Sequence, residues 1–253
     1  MDPGPSSEPA ELSFEEAEAL LRGSGSIEVL GLLPNSSNYT YLARLDKPLG
    51  AEGDALAVYK PAQGESPLWD FPDGSLHRRE VAAYRLARFL GWPLIPPTVT
   101  RREAPMGVGS LQLFVPSESG RAFFSIRDEQ LDQLLPVALF DVIANNADRK
   151  AGHHLRDGSG RLWVIDHGLT FHAEPKLRTI IWDFAGEPLP PAFRPDLERA
   201  LAAVRGGELA AELDGLISVR ELGLLERRLR GVLQPGWLFP SPTSAWSVPW
   251  PPI

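Results

Sequence analysis

Four stretches of this sequence set a polar side chain where it is costly without a partner. In Ala57-Val58-Tyr59-Lys60-Pro61, Lys60 ends an apolar strand, and a strand-borne ammonium suits the α- and β-phosphates of a nucleotide. Glu80 precedes the apolar stripe of a helix that runs on through Val81, Ala82, Ala83 and Tyr84, so it can pair with such a lysine. The run Asn145-Asn146-Ala147-Asp148-Arg149-Lys150-Ala151-Gly152-His153-His154 crowds polar groups into one loop, where Asp148 can orient or deprotonate an attacking hydroxyl and His153 can face the same cavity. In Val164-Ile165-Asp166-His167-Gly168-Leu169, a carboxylate follows a fully apolar strand, a position a divalent metal compensates. Each has an ordinary alternative: an exposed strand end, a solvated glutamate, a surface loop capping a helix, and an Asp-x-Gly turn. Taken together and in this order, they are the parts phosphoryl transfer requires.

The elements that must position them follow from periodicity. Phe14 to Arg22 reads as a short amphipathic helix with Ser13 as N-cap and Gly23 as stop. Strands are expected over residues 27–33, 39–45, 55–59, 98–102 and 110–115, with the turn-forming residues Asn35, Ser36, Ser37 and Asn38 between the first two. Leu76 to Leu90 has helical spacing and stops at Gly91. Asp132 to Ile143 reads as an apolar helix with Pro136 in its first turns, and Leu162 to Ile165 as a buried strand. Further helices are expected over 196–204, 208–217 and 219–232, and a Pro/Trp-rich extended tail after them. The order predicts an α+β protein: a disordered lead over 1–12, a strand-rich first lobe over 13–116, a mostly helical second lobe over 117–238, and the tail over 239–253. The join is expected between residues 116 and 127.

The composition narrows the chemistry. A net charge of −8 without a basic block argues against nonspecific nucleic-acid binding. The absence of cysteine excludes disulfides, thiolate nucleophiles and Cys-ligated zinc. No apolar run is long enough for a membrane-spanning helix and no signal-peptide pattern opens the chain, so a cytoplasmic protein is expected.

The paired motifs Asn145 to His154 and Val164 to Phe171 resemble those of the phosphatidylinositol 3- and 4-kinase-like group, particularly type II phosphatidylinositol 4-kinases and small bacterial relatives of them. The arrangement is also similar to that of HipA-type toxin serine/threonine kinases. The likeness runs from about Ile27 to Phe171 and implies a bilobal, protein-kinase-like fold. By that resemblance Lys60 binds nucleotide phosphates, Glu80 orients it, Asp148 is the catalytic aspartate, and Arg149 is the arginine beside it. Asp166 is the metal-chelating aspartate. Ser36, Ser37 and Asn38 stand at the phosphate-covering loop, and Gln112, Phe114 and Val115 at the hinge strand that meets adenine. The implied cofactors are ATP and Mg²⁺. The family's second metal ligand, an asparagine five residues after the catalytic aspartate, is here His153, which favours softer metals such as Mn²⁺.

Three readings follow. The first is an ATP- and metal-dependent kinase with a hydroxyl acceptor, a protein serine or threonine ahead of a phosphoinositide or small molecule because no basic amphipathic face awaits anionic headgroups. The second is a nucleotide-binding pseudokinase acting through partners, motivated by His153. The third is a metal-dependent hydrolase in which His153, His154, His167 and His172 join Asp148 and Asp166 around zinc. His77 is expected to be exposed.

Overall fold

Ser13 opens the first helix with a capping box: its hydroxyl accepts the Glu16 N–H, and the Glu16 carboxylate accepts the Ser13 N–H. In the computed structural model, residues 12–34, 38–46, 54–117 and 122–252 are described. Residues 1–11 of the lead expected over 1–12, and Ser36 and Ser37 of the proposed covering loop, lie outside the described residues. The chain divides into two compact units, Met1–Ser66 with Pro97–Phe114, and Pro67–Pro96 with Val115–Ile253.

The first unit is a five-stranded antiparallel sheet. Helix α1 (Phe14–Gly23) precedes β1 (Ile27–Leu32), β2 (Tyr41–Leu45) and β3 (Leu56–Pro61), and the unit is completed by β4 (Thr98–Arg101) and β5 (Gly109–Leu113), in the order β1-β2-β3-β5-β4. Alternation sends Ala57 and Tyr59 into a core with Leu21, Ala43, Leu45, Val99 and Leu111. Lys60 is therefore on the opposite face of β3, half-buried, and pairs in register with Ser110. Glycine is required at 109, because a Cβ there would stand 2.4 Å from the Lys60 carbonyl oxygen. Arg101 binds the end of α1, donating to the carbonyls of Arg22 (2.7 Å) and Ser24.

The second unit is mostly helical. Helix α2 (Leu76–Leu90) belongs to it, ending at Gly91 with φ +75°. Then come α3 (Ala122–Glu129), α4 (Leu135–Ala144), the two-stranded ribbon β6 (His154–Arg156) and β7 (Leu162–Val164), and helices α5 (Arg194–Gly206), α6 (Glu208–Glu212) and α7 (Val219–Val232). Helix α3 forms in what the sequence reads as a join, and the helix expected from Asp132 splits into a 3₁₀ turn (Leu131–Leu134) and α4, with Pro136 in the first turn of α4 where its missing N–H is tolerated. The expected 208–217 helix stops at Glu212, short of Gly215 at φ +69°. His77, expected to be exposed, is buried on α2. Among the described residues no helix is long and apolar enough to cross a membrane.

Candidate active site

Helix α4 delivers the loop. Its C-cap, Asn145, adopts the left-handed conformation (φ 53°), which asparagine tolerates better than most residues. Its amide donates to the carbonyls of His172 and Glu174 and its oxygen accepts from the Lys176 N–H, sewing the loop to the segment after β7. Asn146, fully buried, donates to Asp141 (2.8 Å) and accepts the Asp148 N–H (3.0 Å), which fixes the turn that presents Asp148.

A buried ion pair anchors this loop. Arg149 and Asp141 have no solvent exposure and contact each other at 2.9–3.3 Å through Nε and Nη2. Arg149 also donates to the Ile165 carbonyl (2.9 Å) and bonds His167 Nε2 (2.7 Å), so one guanidinium spans both motifs. Arg149, expected as the arginine beside the catalytic aspartate, is sealed from solvent and holds the loop.

Asp148 and Asp166 flank this anchor, near enough for the charge of Asp166 to act on Asp148. Ile165 N–H donates to the His153 carbonyl (3.0 Å), and His153 Nε2 lies 3.3 Å from Asp166 Oδ2. Asp166 is half-exposed with φ +61°, a strained setting for a non-glycine residue and one that recurs at functional sites. Asp148 is paired with Lys150 at 3.1 Å. Burial pushes the Asp148 carboxyl above its ordinary value, the Lys150 ammonium opposes this, and the Asp166 charge adds to the rise. His153 Nδ1 accepts the Lys150 N–H (3.3 Å), so its Nε2 carries the ring proton toward Asp166.

Helix α2 grips the same turn through two consecutive residues. Glu80, 2% exposed, accepts the His167 N–H (2.9 Å). Arg79 pairs with Glu221 of α7 (2.5 Å), donates to the Thr170 carbonyl (2.7 Å) and lies over the Phe71 ring. Arg79, Asp141 and Asn146 were missed as site residues by the sequence reading, and His167 entered it only as a zinc ligand. The signal for Asp141 was available: a lone carboxylate in the apolar run Leu139-Phe140-Asp141-Val142-Ile143 has to be paired.

The remaining expected residues lie in the first unit or at its border. Asn38 Oδ1 accepts the Ser66 N–H at 2.7 Å, tying the segment before β2 to the one that follows β3. Gln112 sits inside β5 with its amide donating to Thr98 Oγ1 (2.8 Å). The Phe114 N–H is used by the Leu56 carbonyl (3.0 Å), and Val115 lies past the strand.

The zinc-hydrolase reading does not survive this geometry. His154 is buried, its Nδ1 facing the Lys150 and Ala151 carbonyls and its ring against Phe123. Burial first, then the Arg149 charge, hold its imidazole well below the ordinary histidine value. His167 bonds Arg149, and His172 bonds the Asp70 carbonyl. Among the described residues no group of three or more His, Cys, Asp or Glu is placed to hold a metal ion.

No family model matches the chain. Phosphatidylinositol 4-kinase gamma 4 of rice is 26% identical over 83% of this chain, which spans 42% of that relative's length. Among solved structures, hydra Fam20, determined with a sugar, superposes with a TM-score of 0.50 at 16% identity, covering 85% of this chain and 84% of its own. These likenesses make the fold kinase-like. Protein Rv2133c of Mycobacterium tuberculosis is 36% identical over 276 aligned positions, 95% of this chain and 97% of the other, and the chain belongs to that protein's family.

Proposed function

We propose that this protein is an ATP- and divalent-metal-dependent phosphotransferase that moves the γ-phosphate to a hydroxyl acceptor. The observation that carries the reading is the cross-tied pair of acidic turns: Asp148 and Asp166 come from different elements and are locked together by Arg149, Ile165 and His153. A bound divalent ion would neutralise phosphate charge as it develops during transfer. Asp166 supplies the carboxylate that would hold it. His153 joins as a ligand by Nε2 only if its ring proton moves to Nδ1, which ends the bond from the Lys150 N–H.

Asp148 aligns the acceptor hydroxyl and takes its proton as the oxygen bonds to phosphorus and the bond to the β-phosphate oxygen breaks, releasing ADP. The raised affinity of Asp148 for a proton suits that role. Lys60 is assigned to the nucleotide phosphates and Glu80 to orienting it. Phe114 and Val115 are assigned to adenine, and Asn38 with Ser36 and Ser37 to covering the phosphates. The protein is assigned to the bacterial cytoplasm.

The contact of His153 with Asp166, and of Lys150 with Asp148, favours one second reading: a nucleotide-binding protein without turnover. Incubation with γ-labelled ATP, Mg²⁺ or Mn²⁺, and protein, phosphoinositide and sugar acceptors, together with a thermal-shift titration, separates the two. Labelled acceptor is the expected result. A nucleotide-dependent shift without any transfer establishes the second reading, and neither shift nor transfer removes both.

A further inference from the structure

Beyond α7 the chain does not trail away but returns to the loop that carries Asp148. Phe239 exchanges hydrogen bonds with the 186–187 turn, its N–H donating to the Glu187 carbonyl (2.8 Å) and its carbonyl accepting the Gly186 N–H (3.0 Å). The Ser247 carbonyl accepts the Thr179 N–H (3.1 Å), and the Pro252 carbonyl accepts the Ala151 N–H (2.9 Å). Thr179 is itself paired with Arg149, whose N–H and carbonyl are taken by Arg178 and Ile180. The segment therefore closes on both flanks of Lys150. It has structure of its own: Ser247 is buried, its Oγ accepts the N–H groups of Thr243 and Ser244, and residues 245–247 form a 3₁₀ turn.

Proline at 240, 242, 249, 251 and 252 restricts the free chain, so docking sacrifices little conformational entropy. Ala151 opens the 3₁₀ turn Ala151–His153 and is buried, so its N–H has no partner within the turn and needs one from elsewhere. Pro252 supplies that partner, two residues from His153.

We infer that residues 239–252 are a positioning strap of the candidate active site, holding the turn that places His153 against Asp166 and Lys150 against Asp148. Its effect on turnover rests on the phosphotransferase reading; its hold on the loop does not. A chain ending after Thr243 removes both carbonyls. Ala151→Pro removes the donor alone, at a first-turn position proline favours and after Lys150 at φ −105°, ψ 164°, which accepts a following proline.

Amide hydrogen exchange at Ala151 and Thr179 is expected to accelerate at least tenfold in the shortened chain, with α7 unchanged. The kcat for phosphate transfer, expressed per nucleotide-binding site counted by titration, is expected to fall at least tenfold with KM for ATP within threefold; counting sites separates this from loss of folded protein, which also lowers Vmax at unchanged KM. Adding Ala151→Pro to the shortened chain should cost nothing further. A synthetic peptide of residues 238–252 should restore protection in trans. Unchanged exchange at both amides overturns the strap. If the shortened chain unfolds, full-length Ala151→Pro decides, and a wild-type kcat there overturns it as well. If the full-length protein transfers no phosphate, the phosphotransferase reading falls and the exchange measurements alone decide the strap.

Discussion

Replacing Asp141 by asparagine keeps the side chain's size and removes its charge, which isolates the electrostatic part of its pairing with Arg149. Both groups are fully buried, and Asp141 meets Arg149 through three contacts of 2.9–3.3 Å while also accepting from Asn146 at 2.8 Å. Removing the carboxylate charge leaves the Arg149 guanidinium in a low-dielectric interior without a counter-charge, met only by the Ile165 carbonyl, His167 and the new amide. Removing one member of such a pair costs roughly 3–5 kcal/mol. Asparagine still offers an oxygen, so the expected loss is about 3 kcal/mol, a large share of the roughly 5–15 kcal/mol that holds a domain folded. With a urea dependence of about 2 kcal/mol per molar, the unfolding midpoint followed by far-ultraviolet circular dichroism should drop by about 1.5 M at unchanged slope. Asp141→Leu combined with Arg149→Met removes both charges and should be more stable than Asp141→Asn, because no orphaned charge remains. That double variant should nevertheless lose transfer activity, since the Ile165 carbonyl beside Asp166 has lost its donor. A loss below about 1 kcal/mol for the single variant, or a double variant no more stable than it, refutes the electrostatic account.

Asp166→Ala is expected to abolish metal-dependent nucleotide stabilisation in a thermal-shift titration, while Asp148→Asn keeps it and loses transfer by roughly 10²–10⁴-fold; wild-type Mg-ATP binding by Asp166→Ala would falsify the metal role. Asp148→Asn should also raise the melting temperature at neutral pH, because burial raises the carboxyl's folded pKa and the ionised form disfavours the native state. That gain should shrink as pH falls through the raised folded value and vanish below the ordinary aspartate value of 3.8, where the carboxyl is neutral in both states; a gain independent of pH contradicts the assignment. Burial pushes the Glu221 carboxyl up, but the Ser218 N–H and hydroxyl and the Arg79 guanidinium hold it below its ordinary 4.5. Its stabilisation is therefore present above about pH 4.5 and lost as pH falls through the lower folded value, so Glu221→Gln should flatten that part of the stability curve, and a curve parallel to wild type would exclude it.

The sequence by itself determined most of the elements and the chemistry-bearing pair of motifs, but not α3 or β6. Periodicity marked α2 and α7, the apolar run Ala57-Val58-Tyr59 marked the strand that carries Lys60, and Ser13 announced the first cap, because each signal lies within one turn or one strand. Asp148 and Asp166 were legible as costly residues in polar turns beside apolar elements. Only the tertiary structure decided that Arg149 is an anchor, that Asp141 is its partner, and that His154, His167 and His172 bond to separate partners. These are long-range pairings, such as Arg79 with Glu221 and Glu80 with the His167 N–H, and no local periodicity encodes them. The Pro/Trp-rich segment shows the same limit: its composition resembles that of a free tail, yet the Ala151 and Thr179 amides give it a place to bind, and their need for acceptors arises only once the loop is folded.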